Sequence, residues 1–157
     1  MAKQLIPTKI YKDITEVLIS KKLIKEIPPQ KWTSNHKVYG YLRVCRYKNA
    51  RTGKITEKFE GLYLNKNYCP CTLKELVTME PKKAADEIAE LIDTVCHELA
   101  HMTHHDHSSN HKGLTDLYKT AYYSSFRYNI DILMEGIFKN CKEAWCFLYI
   151  PANAGNN

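Results

Sequence analysis

Apolar residues recur at helical spacing in two long stretches of the chain, with a run of strand-forming residues between them. Ile10, Ile14, Val17, Leu18, Leu23 and Ile24 form an approximate stripe, which predicts a first helix over residues 8–26 that Pro28-Pro29 ends. Residues 37–48 and 56–65 are rich in Tyr, Val, Leu and Phe and read as strands. Between them, Lys48 to Gly53 reads as a hairpin loop. Thr72 and Glu75 have capping-box spacing, which predicts a short helical turn before Pro81. The clearest amphipathic signal follows, in Ala84, Ala85, Ile88, Leu91, Ile92, Val95, Leu99 and Met102, with Pro81 suited to the helix start. A further helix is expected from the capping residues Ser108 to Asn110 to about Tyr123, and another over 129–140. Residues 144–150 read as a short strand or packed tail, and 151–157 as a disordered end. The expected architecture is α+β, in one domain over residues 1–150. It has an N-terminal helix, a small sheet with a hairpin, and a long helix followed by further helices.

A length of 157 residues suits one compact domain. No apolar run approaches the roughly 18 residues of a membrane span, and the first residues hold no signal-peptide core. The expectation is therefore an intracellular protein, not secreted and not membrane-bound, acting as a monomer. Six cysteines, at 45, 69, 71, 96, 141 and 146, are then expected to be reduced. Cys69 and Cys71 with Cys141 and Cys146 are a weak match to a structural zinc site, because C-x-C falls short of the usual spacing. The net charge of +6, densest before residue 84, suits an acidic partner such as nucleic acid but does not require one.

The chemistry concentrates in His97-Glu98-Leu99-Ala100-His101. A helix advances about 100° per residue, so the two histidines stand one turn apart on one face, about 40° apart around the axis. That is the placement two imidazoles need to bind one zinc ion, with Glu98 beside them as a general base that does not ligate. Ile88, Ile92, Val95 and Leu99 point the other way, so the helix lines a cleft with one face and the core with the other. Chance alone would place HExxH in a chain of this length at a rate on the order of a few per thousand. A catalytic zinc site takes three protein ligands and keeps one position open. His107, five residues beyond His101, leaves room for the helix to end and the chain to turn back, and is the favoured third ligand. His111 and Glu135 are the alternative ligands, and Asp106 reads as a turn or cap residue. His104 and Tyr118 are candidates for an outer contact or an oxyanion donor; Tyr118, Tyr122 and Tyr123 also fit simple helix packing. His36 reads as a loop residue and His105 as a solvent-exposed one.

The stretch His97 to Ser108, HELAHMTHHDHS, resembles the SprT-like and WLM minimal zincins, and shares its pattern with the YgjP-like metal-dependent hydrolases. The resemblance is specific over residues 88–111, loose over 37–65 and absent beyond about 125. It implies a zincin-like fold, Zn²⁺ as cofactor, His107 as third ligand, and intracellular proteolysis, including of proteins crosslinked to DNA. Two departures stand out: His111 occupies a position where these families carry an aromatic residue, and Cys141 and Cys146 are a poor match to the zinc ribbon of the bacterial SprT proteins. The expected activity is zinc-dependent hydrolysis of a protein or peptide, with DNA as a further partner. Two rivals remain: a zinc hydrolase of a non-peptide substrate, and a nucleic-acid-binding protein whose zinc is only structural.

Overall fold

The computed structural model of the chain describes residues 6–34, 37–69, 75 and 78–125. Six elements are assigned within them. Helix α1 spans Ile6–Ser20, strands β1, β2 and β3 span Gln30–Thr33, Gly40–Lys48 and Ile55–Asn65, and helices α2 and α3 span Pro81–Ala100 and Ser109–Ser124. The architecture is α+β, as the periodicity predicts. His36, Cys71, Glu135, Cys141, Cys146, the 129–140 helix, the 144–150 segment and the tail lie outside the described residues, as does most of the 72–80 turn.

The first helix ends six residues before the expected end at 26, and begins two residues before the expected start at 8. Lys22 takes a left-handed conformation (φ 59°), and the amides of Lys22 and Leu23 donate back to the carbonyls of Ile19 and Leu18. This is a Schellman closure, which most often uses glycine. A lysine at that position hides the stop, and Leu23 and Ile24 continue the apolar pattern beyond it. Ile24 is still buried, but as part of the turn rather than the helix.

The sheet runs β1-β3-β2, with β1 parallel and β2 antiparallel to β3. Four residues are too few to register as a period, so β1 leaves no trace in the hydrophobic pattern. The β2–β3 hairpin matches its expected span closely. Its loop closes through Asn49, whose side chain accepts from the Arg51 and Thr52 amides, and through Gly53 at positive φ. Leu62 and Leu64 point into the core. Tyr63 between them points to the other face, where it stacks on Tyr41 across the strands with ring centroids 4.7 Å apart.

One continuous core joins Ile10, Ile14 and Leu18 of α1 to Leu91, Ile92 and Val95 of α2, with Leu62, Leu64, Tyr118 and Tyr122 packed around them. Ile92→Ala, at a fully buried position, is expected to cost about 2–5 kcal/mol of stability through lost burial and the cavity left behind. Urea unfolding of the two proteins measures it. The helix and the sheet come close together at Gly40. A methyl group there would stand 2.8 Å from the Tyr63 carbonyl oxygen and 3.1 Å from Cγ2 of Thr94 on α2. Position 40 therefore admits no side chain without moving strand or helix. Among the described residues no helix is long and apolar enough to cross a membrane.

Candidate metal centre

Helix α2 delivers the first two histidines. Its buried stripe faces the core, and His97 and His101 emerge half-buried from the opposite side. The helix then tightens. The amides of His101, Met102 and Thr103 each bond the carbonyl three residues back, and the helical span ends at Ala100. The chain turns through residues 102–107 before Ser108 caps α3, accepting from the His111 amide. Asp106 serves the turn before that cap: its carboxylate accepts from the Ser108 amide, and the Ser108 hydroxyl and amide hold its pKa below the usual carboxylate range. This short connection carries His107 back toward the pair. Its other side leans on the sheet, with His105 Nε2 3.5 Å from Glu57 of β3.

The ring nitrogens of His97, His101 and His107 converge, each offering one atom, all within 4.8 Å of one another. His97 Nε2 and His101 Nε2 are 3.2 Å apart. Two imidazole nitrogens on a tetrahedral zinc at about 2.0–2.1 Å would be separated by about 3.3 Å, so this pair already has close to the spacing a metal requires. The wider separations involve His107, which is exposed on the connecting loop. His101 Nδ1 lies 2.8 Å from the His104 carbonyl oxygen. A carbonyl can only accept, so Nδ1 carries the proton and Nε2 is left with its lone pair facing the cluster. Burial first, and the neighbouring histidines after it, hold the His97 imidazole below its ordinary pKa. Burial likewise lowers that of His101, opposed by its bond to His104. Imidazoles converging in this way are the donor set that zinc and related divalent metals bind. These three histidines can hold a metal ion.

Glu98 sits behind the pair and is only 8% exposed. Its Oε2 accepts a 3.0 Å hydrogen bond from the Leu42 amide on β2, and its Oε1 lies 3.8 Å from His97 Nε2. Burial pushes the carboxyl up to about 7, opposed by the Leu42 bond. One oxygen is therefore held by the strand, and the other stands beside the histidines. No sequence pattern announces Leu42, because its contribution is a backbone amide on an edge strand.

The remaining candidates lie outside the converging nitrogens. His104 contributes its carbonyl rather than its ring. Tyr118 is not at the site: it is 1% exposed on the inward face of α3, and its hydroxyl points to the Leu23 carbonyl at 3.4 Å. Helical phase places it in the core. His111 is buried among the other rings, but its Nε2 is turned to the main-chain carbonyl of His97 at 2.9 Å and is not among the converging nitrogens. Compared with known proteins, the chain matches no family model, no curated protein and no solved structure.

Proposed function

We propose that this chain is a zinc-dependent metalloendopeptidase, with His97, His101 and His107 as ligands and Glu98 as general base. The observation that carries this reading is the geometry of one helical turn. Two imidazole nitrogens stand 3.2 Å apart, and a buried carboxylate beside them has one oxygen tied to a strand and the other facing them. A purely structural metal site has no use for such a carboxylate. Zinc, when bound, supplies Lewis acidity toward a polarised carbonyl. Glu98 takes a proton at Oε1 from the attacking water and delivers it to the departing amine, while the Leu42 amide keeps Oε2 from rotating away. His101 is held in the right tautomer throughout by the His104 carbonyl.

The hairpin supports proteins held on nucleic acid as substrates. Between residues 43 and 60 lie Arg43, Arg46, Lys48, Arg51, Lys54 and Lys58 against only Glu57 and Glu60. Positions 46–58 are all exposed. This basic arm starts one residue beyond Leu42 and touches the ligand-bearing loop at His105. A phosphate backbone drawn to this basic arm would bring a protein bound on it close to the site.

The test is cleavage of a basic DNA-binding protein by the zinc-loaded chain, with and without DNA and with and without a chelator. Chelator-sensitive peptide cleavage is expected, accelerated by DNA at low salt and less so at high salt. Turnover of only non-peptide esters or nucleotides in a parallel panel would replace the peptidase reading with another hydrolase. Stoichiometric zinc with no turnover of any substrate would leave a structural site.

A further inference from the structure

His111 touches both histidines of the α2 pair and offers the cluster no ligating nitrogen. Its ring lies against His101 nearly parallel, with centroids 4.0 Å apart and planes 20° apart. It meets His97 edge-on, at 4.4 Å and 81°. The His101 amide bonds the Glu98 carbonyl. The His97 carbonyl, in the last turn of α2, is one of the acceptors a helix end leaves to outside partners. His111 Nε2 reaches it at 2.9 Å. A carbonyl cannot donate, so that nitrogen carries a proton and is not available to a cation.

From these contacts we infer that His111 is a positioning residue for the metal centre. It clamps the two ligand rings in the orientation that points their Nε2 atoms together, and it ties the end of α2 to the start of α3. The inference rests on the proposed metal reading of the cluster. An unclamped imidazole turns readily about its outer torsion, which has broad wells, and a turned ring no longer offers Nε2 to the metal. With His111 in place, turning His101 drives its edge into the stacked ring, and turning His97 drives it against the ring edge. His111 is itself fixed. It is 2% exposed and stands in the first turn of α3, where its amide reaches the Ser108 hydroxyl. The segment that delivers His107 therefore also delivers the clamp. Only a residue with both a flat face and an N–H donor does both tasks. Phenylalanine keeps the face and glutamine keeps the donor.

The test compares zinc binding by the wild type with that of His111→Ala, His111→Phe and His111→Gln, by competition against a chromophoric chelator. Alanine is expected to weaken zinc about 10–100-fold, the usual loss when an outer partner of a ligand is removed, with one zinc still bound at saturation. Phenylalanine and glutamine should each recover part of that loss. Unchanged affinity in the alanine variant overturns the clamp. A loss in all three variants as deep as that of a variant lacking His107 also overturns it, and makes His111 a ligand. The α2–α3 contact does not depend on His111 alone, because Lys119 pairs with Asp93 at 2.9 Å and Tyr118 and Tyr122 are buried beside it. Thermal unfolding of the metal-free variants checks that the fold survives. Metal-free NMR separates this inference from the reading beneath it. The clamp predicts a slowly exchanging His111 Nε2 proton in the wild type, and His97 and His101 ring signals that broaden in the alanine variant even if zinc never binds. Ring signals identical in both proteins would overturn it.

Discussion

Glu98→Gln is expected to leave zinc binding and thermal stability as they are and to lower kcat/KM on a peptide substrate by about 10²–10⁴-fold, the range general-base catalysis contributes. Glutamine has the shape of glutamate, and its amide oxygen can still accept from the Leu42 amide at the position Oε2 now holds. What it lacks is basicity at the oxygen beside His97. Glu98→Ala would be a poorer probe. It would strip the Leu42 amide of its partner at a nearly buried position, at a cost of about 1–3 kcal/mol that would mix folding with chemistry. Metal content by mass spectrometry, unfolding temperature and steady-state kinetics on the glutamine variant read the three quantities separately. Full activity with one zinc bound would remove Glu98 from the mechanism.

His107→Ala is expected to weaken zinc by more than about 100-fold, beyond the loss from removing an outer-shell partner. Activity should fall with occupancy and return only in part at high zinc. His107 is exposed on the connection between α2 and α3, so the core has no stake in its side chain and the unfolding temperature of the metal-free protein should not change. A variant that still holds stoichiometric zinc at wild-type affinity would show that some other donor completes the centre.

How much of this could be read without coordinates follows from the kind of signal each feature leaves. Helix α2 and its two histidines were legible because 3.6-residue periodicity fixes both the buried stripe and the opposite face, and the placement of Ile88 and Leu99 follows from that of His97 and His101. The hairpin was legible because its strands are long and Asn49 to Gly53 is a strong turn. What periodicity cannot register is a feature carried by few residues or by the backbone. Strand β1 has four residues. The end of α1 rests on a left-handed lysine where a glycine would have given it away. The partners of Glu98 and His101 are a main-chain amide and a main-chain carbonyl, which every residue has. His111 illustrates a further limit. Residue type made it a rival ligand, and only the direction of its Nε2, toward the His97 carbonyl, separates a ligand from a neighbour of ligands. Tyr118 differs again, since the helical phase that hides it was present in the sequence but competed with the appeal of a hydroxyl near a metal.

The bare Cα of Gly40 has a reach that its lack of a side chain conceals. Leu42 lies two residues farther along the same strand, and its amide is what aims the carboxylate. A methyl group at position 40 would meet the Tyr63 carbonyl at 2.8 Å and Thr94 of α2 at 3.1 Å, so the spacing of the strand from its neighbour and from α2 is tight there. An alanine at 40 would act as a shim. It would lift the strand, lengthen the bond to Glu98 and let the acid drift, while every residue of the HExxH turn kept its identity. The alignment of the proposed base is therefore written partly into a position that carries no functional group, and a sequence that keeps the histidines but fills that gap would present the motif with its carboxylate shifted.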